Sequence, residues 1–89
     1  MGYFPLSVTL FFMASIYSAE YQRFLRNLKM ARLQAHLTQA EVALRLNKHQ
    51  SYVSKCESGE RRVVATELAR FAKIYAKPLS FFIGDETNF

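Results

Sequence analysis

From Ser18 onward the apolar positions of this 89-residue chain recur every three or four residues, the spacing that gathers one face of a helix. Ser18 stands as an N-cap, with Glu20 in the first turn where negative charge suits the helix dipole. Phe24, Leu25, Leu28, Ala31, Leu33 and Ala35 then form a core stripe, with Arg23, Arg26, Lys29 and Arg32 between them. A second start follows at Thr38-Gln39-Ala40-Glu41, whose spacing fits a capping box. Val42, Ala43 and Leu46 make its inward face, and Asn47 ends it in a turn that calls for the left-handed conformation.

The third periodic segment, from about Gln50 to Ser58, is different in kind. At about 100° per residue, Gln50, Ser51, Ser54, Lys55 and Ser58 share a sector of about 140°, while Val53 and Cys56 point the other way. Ser58-Gly59 is a strong stop. Ala65 to Tyr75 resumes the period with Leu68, Phe71, Ala72 and Tyr75 inward, and Pro78 opens a last short helix as its first residue, with Leu79, Phe82 and Ile83 on the core side. Five helices and no strand after residue 20 predict an all-α fold.

The first 20 residues break this pattern. MGYFPLSVTLFFMASIYS carries no charge, and its uninterrupted apolar run, Val8 to Ala14, is far shorter than the ~20 residues of a membrane helix. It also lacks the basic start of a secretory signal. Two readings stay open: an apolar arm that packs on a neighbouring chain, or an extension ahead of a natural start at Met13. The chain thus divides into an arm, residues 1–20, and one domain, residues 21–85.

Charge sharpens the picture. The net charge is +5, but all twelve Lys and Arg lie between Arg23 and Lys77, where only Glu41, Glu57, Glu60 and Glu67 oppose them, a local net of +8. Such a field favours a polyanion: nucleic acid first, an anionic membrane surface second, with an unpartnered basic surface as the plain alternative. A single cysteine excludes an internal disulfide and fits a reducing cytoplasm.

Two short helices separated by a tight turn, about residues 38–58, make a helix-turn-helix geometry, with small Ala43 at the crossing and Val53 facing it. The outward face of the second helix holds groups that read base edges: Gln pairs bidentately with adenine, Lys with guanine, and Ser adapts to base or phosphate. A solvated surface helix would be equally polar, but three serines are an unfavourable choice for one, since Ser is a mediocre helix former.

The run LTQAEVALRLNKHQSYVSKCESGERR resembles the helix-turn-helix of the lambda-repressor/Cro superfamily, also called the xenobiotic-response-element family. Its pattern is L-T-Q-x-E-L-A-x-x-L-G, a short turn, then Q-S-x-I-S-x-x-E-x-G-x-R. The stretch ELARFAKIYAKPLSFFIGDE is similar to that family's last two helices, so the resemblance covers about residues 21–85. It implies a five-helix DNA-binding domain in which Gln50, Ser51, Ser54 and Lys55 meet base edges. Gln39 would bond a phosphate and buttress Gln50, while Lys48, Ser58, Arg61 and Arg62 would contact the backbone. It also implies a structural ion pair between Arg32 and Glu57. Three positions depart from the pattern. Asn47 replaces Gly, His49 replaces a Ser or Thr cap and predicts a ragged start to the recognition helix, and Val64 replaces an Asp cap, leaving Thr66 to substitute.

Other residues carry less. Cys56 lies inward and reads as core rather than a redox switch, and Phe81, Phe82 and Phe89 read as core and tail packing. His36 and His49 lack a ligand set at metal spacing, and no nucleophile–base or paired-carboxylate arrangement stands out, so neither metal, cofactor nor enzyme activity is expected. The expected function is sequence-specific recognition of double-stranded DNA by a cytoplasmic, nucleoid-associated transcriptional repressor, acting as a homodimer on a palindromic operator without membrane association. The alternatives are an antitoxin of a toxin–antitoxin pair, with a toxin as protein partner, and an interaction module that has lost DNA reading.

Overall fold

The computed structural model of the chain describes residues 18–84, which form five α-helices: α1 (Ala19–Gln34), α2 (Gln39–Leu46), α3 (Gln50–Ser58), α4 (Ala65–Tyr75) and α5 (Leu79–Ile83). The domain is all-α, as the periodicity predicts. Residues 1–17 of the expected arm and Phe89 lie outside the described residues, while Ala19 and Glu20 already belong to α1. Ser18 caps that helix, its hydroxyl accepting from the Tyr21 amide at 3.1 Å. No helix among the described residues is long and apolar enough to cross a membrane.

The core is built from each helix in turn: Phe24, Leu25, Leu28 and Ala31 of α1, Val42 and Ala43 of α2, Val53 and Cys56 of α3, Phe71, Ala72 and Tyr75 of α4, and Phe82 of α5. Each large side chain fully removed from water contributes about 1.5–3 kcal/mol. Ala43 and Val53, both buried, let α2 and α3 pack closely, and α5 closes on α1. Asn27 adds a bond across that closure, donating from Nδ2 to the Phe82 carbonyl at 3.2 Å.

Three core assignments from periodicity are corrected. Leu33 is 48% exposed, because it lies on the opposite side of α1 from Ala31, and its neighbour Arg32 is buried instead. Leu79 and Ile83 are also about half exposed. A helix of five residues offers one inward slot, which Phe82 fills, and Leu79 and Ile83, four apart, share the outer face. Phe81 packs against the core beside Phe82, ring edge to ring face at 5.5 Å.

The helix ends explain how tightly the chain turns. Three left-handed residues, His36, Asn47 and Ala76, have φ between 54° and 58°, and Gly59 has φ 86°. At the first three, the amide that follows the left-handed residue reaches back over five residues: Leu37 to the Arg32 carbonyl, Lys48 to Ala43, and Lys77 to Ala72. This is the Schellman closure, which satisfies carbonyls the helix leaves unpaired. Gly59 is required twice over, since a β-carbon there would stand 2.9 Å from Leu25 Cδ1.

Two starts differ from expectation. Pro78 is the N-cap of α5 rather than its first residue, its extended backbone at φ −69° needing no donor there. Val64 caps α4 without a side-chain acceptor, and Thr66 sits inside the helix. The Val64 amide instead donates to Glu67 Oε1 at 3.0 Å, the reciprocal half of a capping box.

Candidate nucleic-acid interface

The recognition pair begins with a complete capping box. The Glu41 amide donates to Thr38 Oγ1 at 3.1 Å, and the Thr38 amide to Glu41 Oε1 at 2.8 Å. The remaining first-turn amides of α2 stay free to meet an anion. At α3 the His49 ring replaces the usual hydroxyl: its Nδ1 accepts from the Ser51 amide at 3.4 Å and lies 3.2 Å from Ser51 Oγ. The predicted ragged start is therefore corrected to a capped one.

Behind this pair lies a buried polar junction. Arg32 Nε donates to Glu57 Oε2 at 2.6 Å, Arg32 Nη2 to Glu57 Oε1 at 3.1 Å, and Arg32 Nη1 to the Leu37 carbonyl at 2.9 Å. Gln39 Nε2 adds a third donor to the same carboxylate, 3.0 Å from Glu57 Oε1. One carboxylate of α3 thus ties together α1, the α1–α2 turn and the start of α2. The hydrogen bonds to Glu57 raise the Arg32 pKa against the opposing effect of burial, so the guanidinium keeps its charge. The amide of Gln39 is engaged by Glu57 rather than by Gln50, which leaves its other amide hydrogen and Oε1 for an outside partner. Nearby, the buried Tyr75 hydroxyl has no hydrogen-bond partner, and burial, then the Glu57 charge, pushes its pKa up.

Gln50, Ser51, Ser54 and Lys55 are all exposed on one side of α3, while Val53 and Cys56 are fully buried on the other. Burial also pushes the Cys56 thiol up, away from thiolate chemistry. Ser58 is exposed, but its hydroxyl donates to the Lys55 carbonyl at 3.2 Å and accepts from the Glu60 amide at 3.3 Å. It therefore shapes the end of α3 as well as facing solvent.

The flanking cations are held by groups that sequence reasoning missed. Lys48 Nζ lies 5.2 Å and the Arg61 guanidinium 5.0 Å from the centre of the Tyr52 ring. Arg62 sits 5.0 Å from the Tyr21 ring, and the Tyr21 hydroxyl accepts from the Val63 amide at 3.1 Å. Glu67 accepts from the Tyr52 hydroxyl at 2.7 Å and from Arg61 Nη2 at 2.6 Å. No local spacing announces these partners, since Tyr52 and Glu67 are 15 residues apart and meet only when α4 folds back.

The Glu67 carboxyl shows how strongly this cluster is wired. Burial alone would raise its pKa, but the Val64 amide, Arg61 and the Tyr52 hydroxyl outweigh that and hold it at about 2. A depressed folded-state value means that the stabilisation is complete above the ordinary carboxylate range and is lost as pH falls from about 4.5 towards 2. Thermal melts of the Glu67→Gln variant should therefore vary less with pH across that window than those of the wild type. Parallel curves would show that the titration lies elsewhere.

A capped helix, a one-residue left-handed turn and a second helix with an exposed donor–acceptor face define a helix-turn-helix DNA-binding domain, framed here by basic side chains. The helix-turn-helix family model of the Cro/C1 type matches residues 28–82. The chain belongs to the lambda-repressor/Cro-like helix-turn-helix superfamily, a family of DNA-binding domains of the transcription-regulator class. No curated protein and no solved structure gives a significant match.

Proposed function

We propose that the protein is a transcriptional repressor that binds a palindromic operator as a homodimer. The observation that carries this reading is the exposed face of α3, where Gln50, Ser51, Ser54 and Lys55 stand free of the core beside exposed cations. Gln50 and Ser51 meet base edges at the helix start, and Ser54 and Lys55 reach deeper along the major groove. Gln39, Lys48, Ser58, Arg61 and Arg62 contact phosphates and set the register, while base contacts set the sequence. Two-fold symmetry places the half-sites about 34 Å apart, and occupancy of that site blocks a promoter. The repressor acts in the cytoplasm, associated with the nucleoid. An interaction module that had lost DNA reading would have no use for a glutamine–serine–lysine face kept exposed and free of the core.

Selection of binding sites from random duplex DNA tests the proposal. An inverted repeat should be enriched, and Gln50→Ala should bind it about 5–150-fold more weakly, the ~1–3 kcal/mol of one bidentate base contact. Equal binding to all sequences, or an unaffected Gln50→Ala variant, would refute the reading face.

A further inference from the structure

The two cations beside Tyr52 belong to different segments. Lys48 lies in the turn before α3, and Arg61 lies beyond its end, yet both side chains converge on one ring in the first turn of α3. Each lies within the ~6 Å at which a cation is attracted to an aromatic face. Because both are about 5 Å from the same ring centre, they are no more than about 10 Å from each other. Among the described residues Lys48 makes no ion pair, and Arg61 gives only Nη2 to Glu67, leaving its other nitrogens without a carboxylate.

The ring itself is fixed from two sides. Its hydroxyl donates to Glu67 at 2.7 Å, and its face stacks on Phe71, centres 6.3 Å apart and planes 12° apart. Phe71 is fully buried, so the ring inherits the rigidity of the core. Glu67 is held in turn by the Val64 amide at the start of α4. An aliphatic residue at position 52 could fill the space, but it would neither attract cations to its face nor anchor to Glu67. Two like charges from either end of α3 are thereby tied to one fixed ring.

We infer that Tyr52 is a positioning residue that holds Lys48 and Arg61 together as a two-cation clamp for the phosphate backbone beside the recognition helix. The inference rests on the DNA-binding reading and names the element that sets its backbone contacts. It assigns Tyr52 no contact with DNA: the residue acts through the cations on its ring.

The salt dependence of binding to a short duplex of mixed sequence tests this without knowledge of the operator. Each phosphate neutralised contributes about 0.9 to the slope of log K against log salt. Tyr52→Leu should lower the slope by about 1–2, whereas Tyr52→Phe, which keeps the ring, should stay close to wild type. Lys48→Ala should lower the slope by about 0.9 in the wild type and by little in the Tyr52→Leu background. A Tyr52→Leu slope equal to wild type, with Lys48→Ala still lowering it, would overturn the clamp and leave the DNA-binding reading intact. A wild-type protein whose binding ignores salt would overturn both. A second reading uses the unaltered protein, in case Tyr52→Leu unfolds. In NMR spectra the Lys48 ε-methylene protons should be shifted upfield by the ring current and remain so in the duplex complex. Unshifted protons in either state would likewise overturn the clamp.

Discussion

Glu57→Ala should leave the domain largely unfolded at temperatures where the wild type is folded. The carboxylate receives two hydrogen bonds from Arg32 and one from Gln39, and its side chain is only 5% exposed, against 9% for that of Arg32. Alanine removes all three bonds and strands a buried guanidinium whose one remaining bond is to the Leu37 carbonyl. Removing one partner of such a pair costs about 3–5 kcal/mol, set against about 5–10 kcal/mol of total stability for a chain of this length. The measurement is a thermal or urea melt followed by circular dichroism. A melting temperature equal to wild type would show that the junction contributes nothing. Loss of DNA binding in this variant would follow from loss of fold, which separates it from Gln50→Ala, where the melt should not change.

The second large effect concerns α5. Phe82→Ala should cost about 3–5 kcal/mol, because the ring is fully buried between α5 and α1 and its removal opens a cavity. Leu79→Ala, three residues earlier, should change stability by less than about 0.5–1 kcal/mol, since Leu79 is already half exposed. The comparison of the two melts is the test. Equal losses would mean that Leu79 is covered in solution, as it would be if a second copy packed on that face.

That contrast also shows where sequence was readable and where it was not. Signals confined to a few neighbouring residues were legible: the Ser18 cap, the Thr38–Glu41 capping box, the left-handed Asn47 and the Gly59 stop are all present as expected. Their physics is local: one hydrogen bond or one backbone angle within a few residues. The Arg32–Glu57 pair spans 25 residues and came from the family resemblance rather than from spacing. Periodicity failed where hydrophobicity and burial part company. Arg32 is buried while Leu33 is exposed, because the Glu57 carboxylate makes a buried arginine favourable at that angle. It failed again at α5, which is too short for three apolar residues to share one inward side. The Tyr52–Glu67–Arg61 cluster was illegible for a third reason: it depends on where α4 lands relative to α3. His49 was misread because propensities favour small hydroxyl and amide caps, while a ring nitrogen can accept the same bond.

The four turns between the helices each pivot on one left-handed residue: His36, Asn47, Gly59 and Ala76. Connections this short, closed by backbone bonds, leave the loops few alternative conformations to lose when a ligand arrives. The proposed reading face is therefore set in one geometry before any DNA is met, and the ordering entropy that weakens many interfaces should be largely removed beforehand. Complex formation should then be limited mainly by encounter and orientation rather than by a folding step.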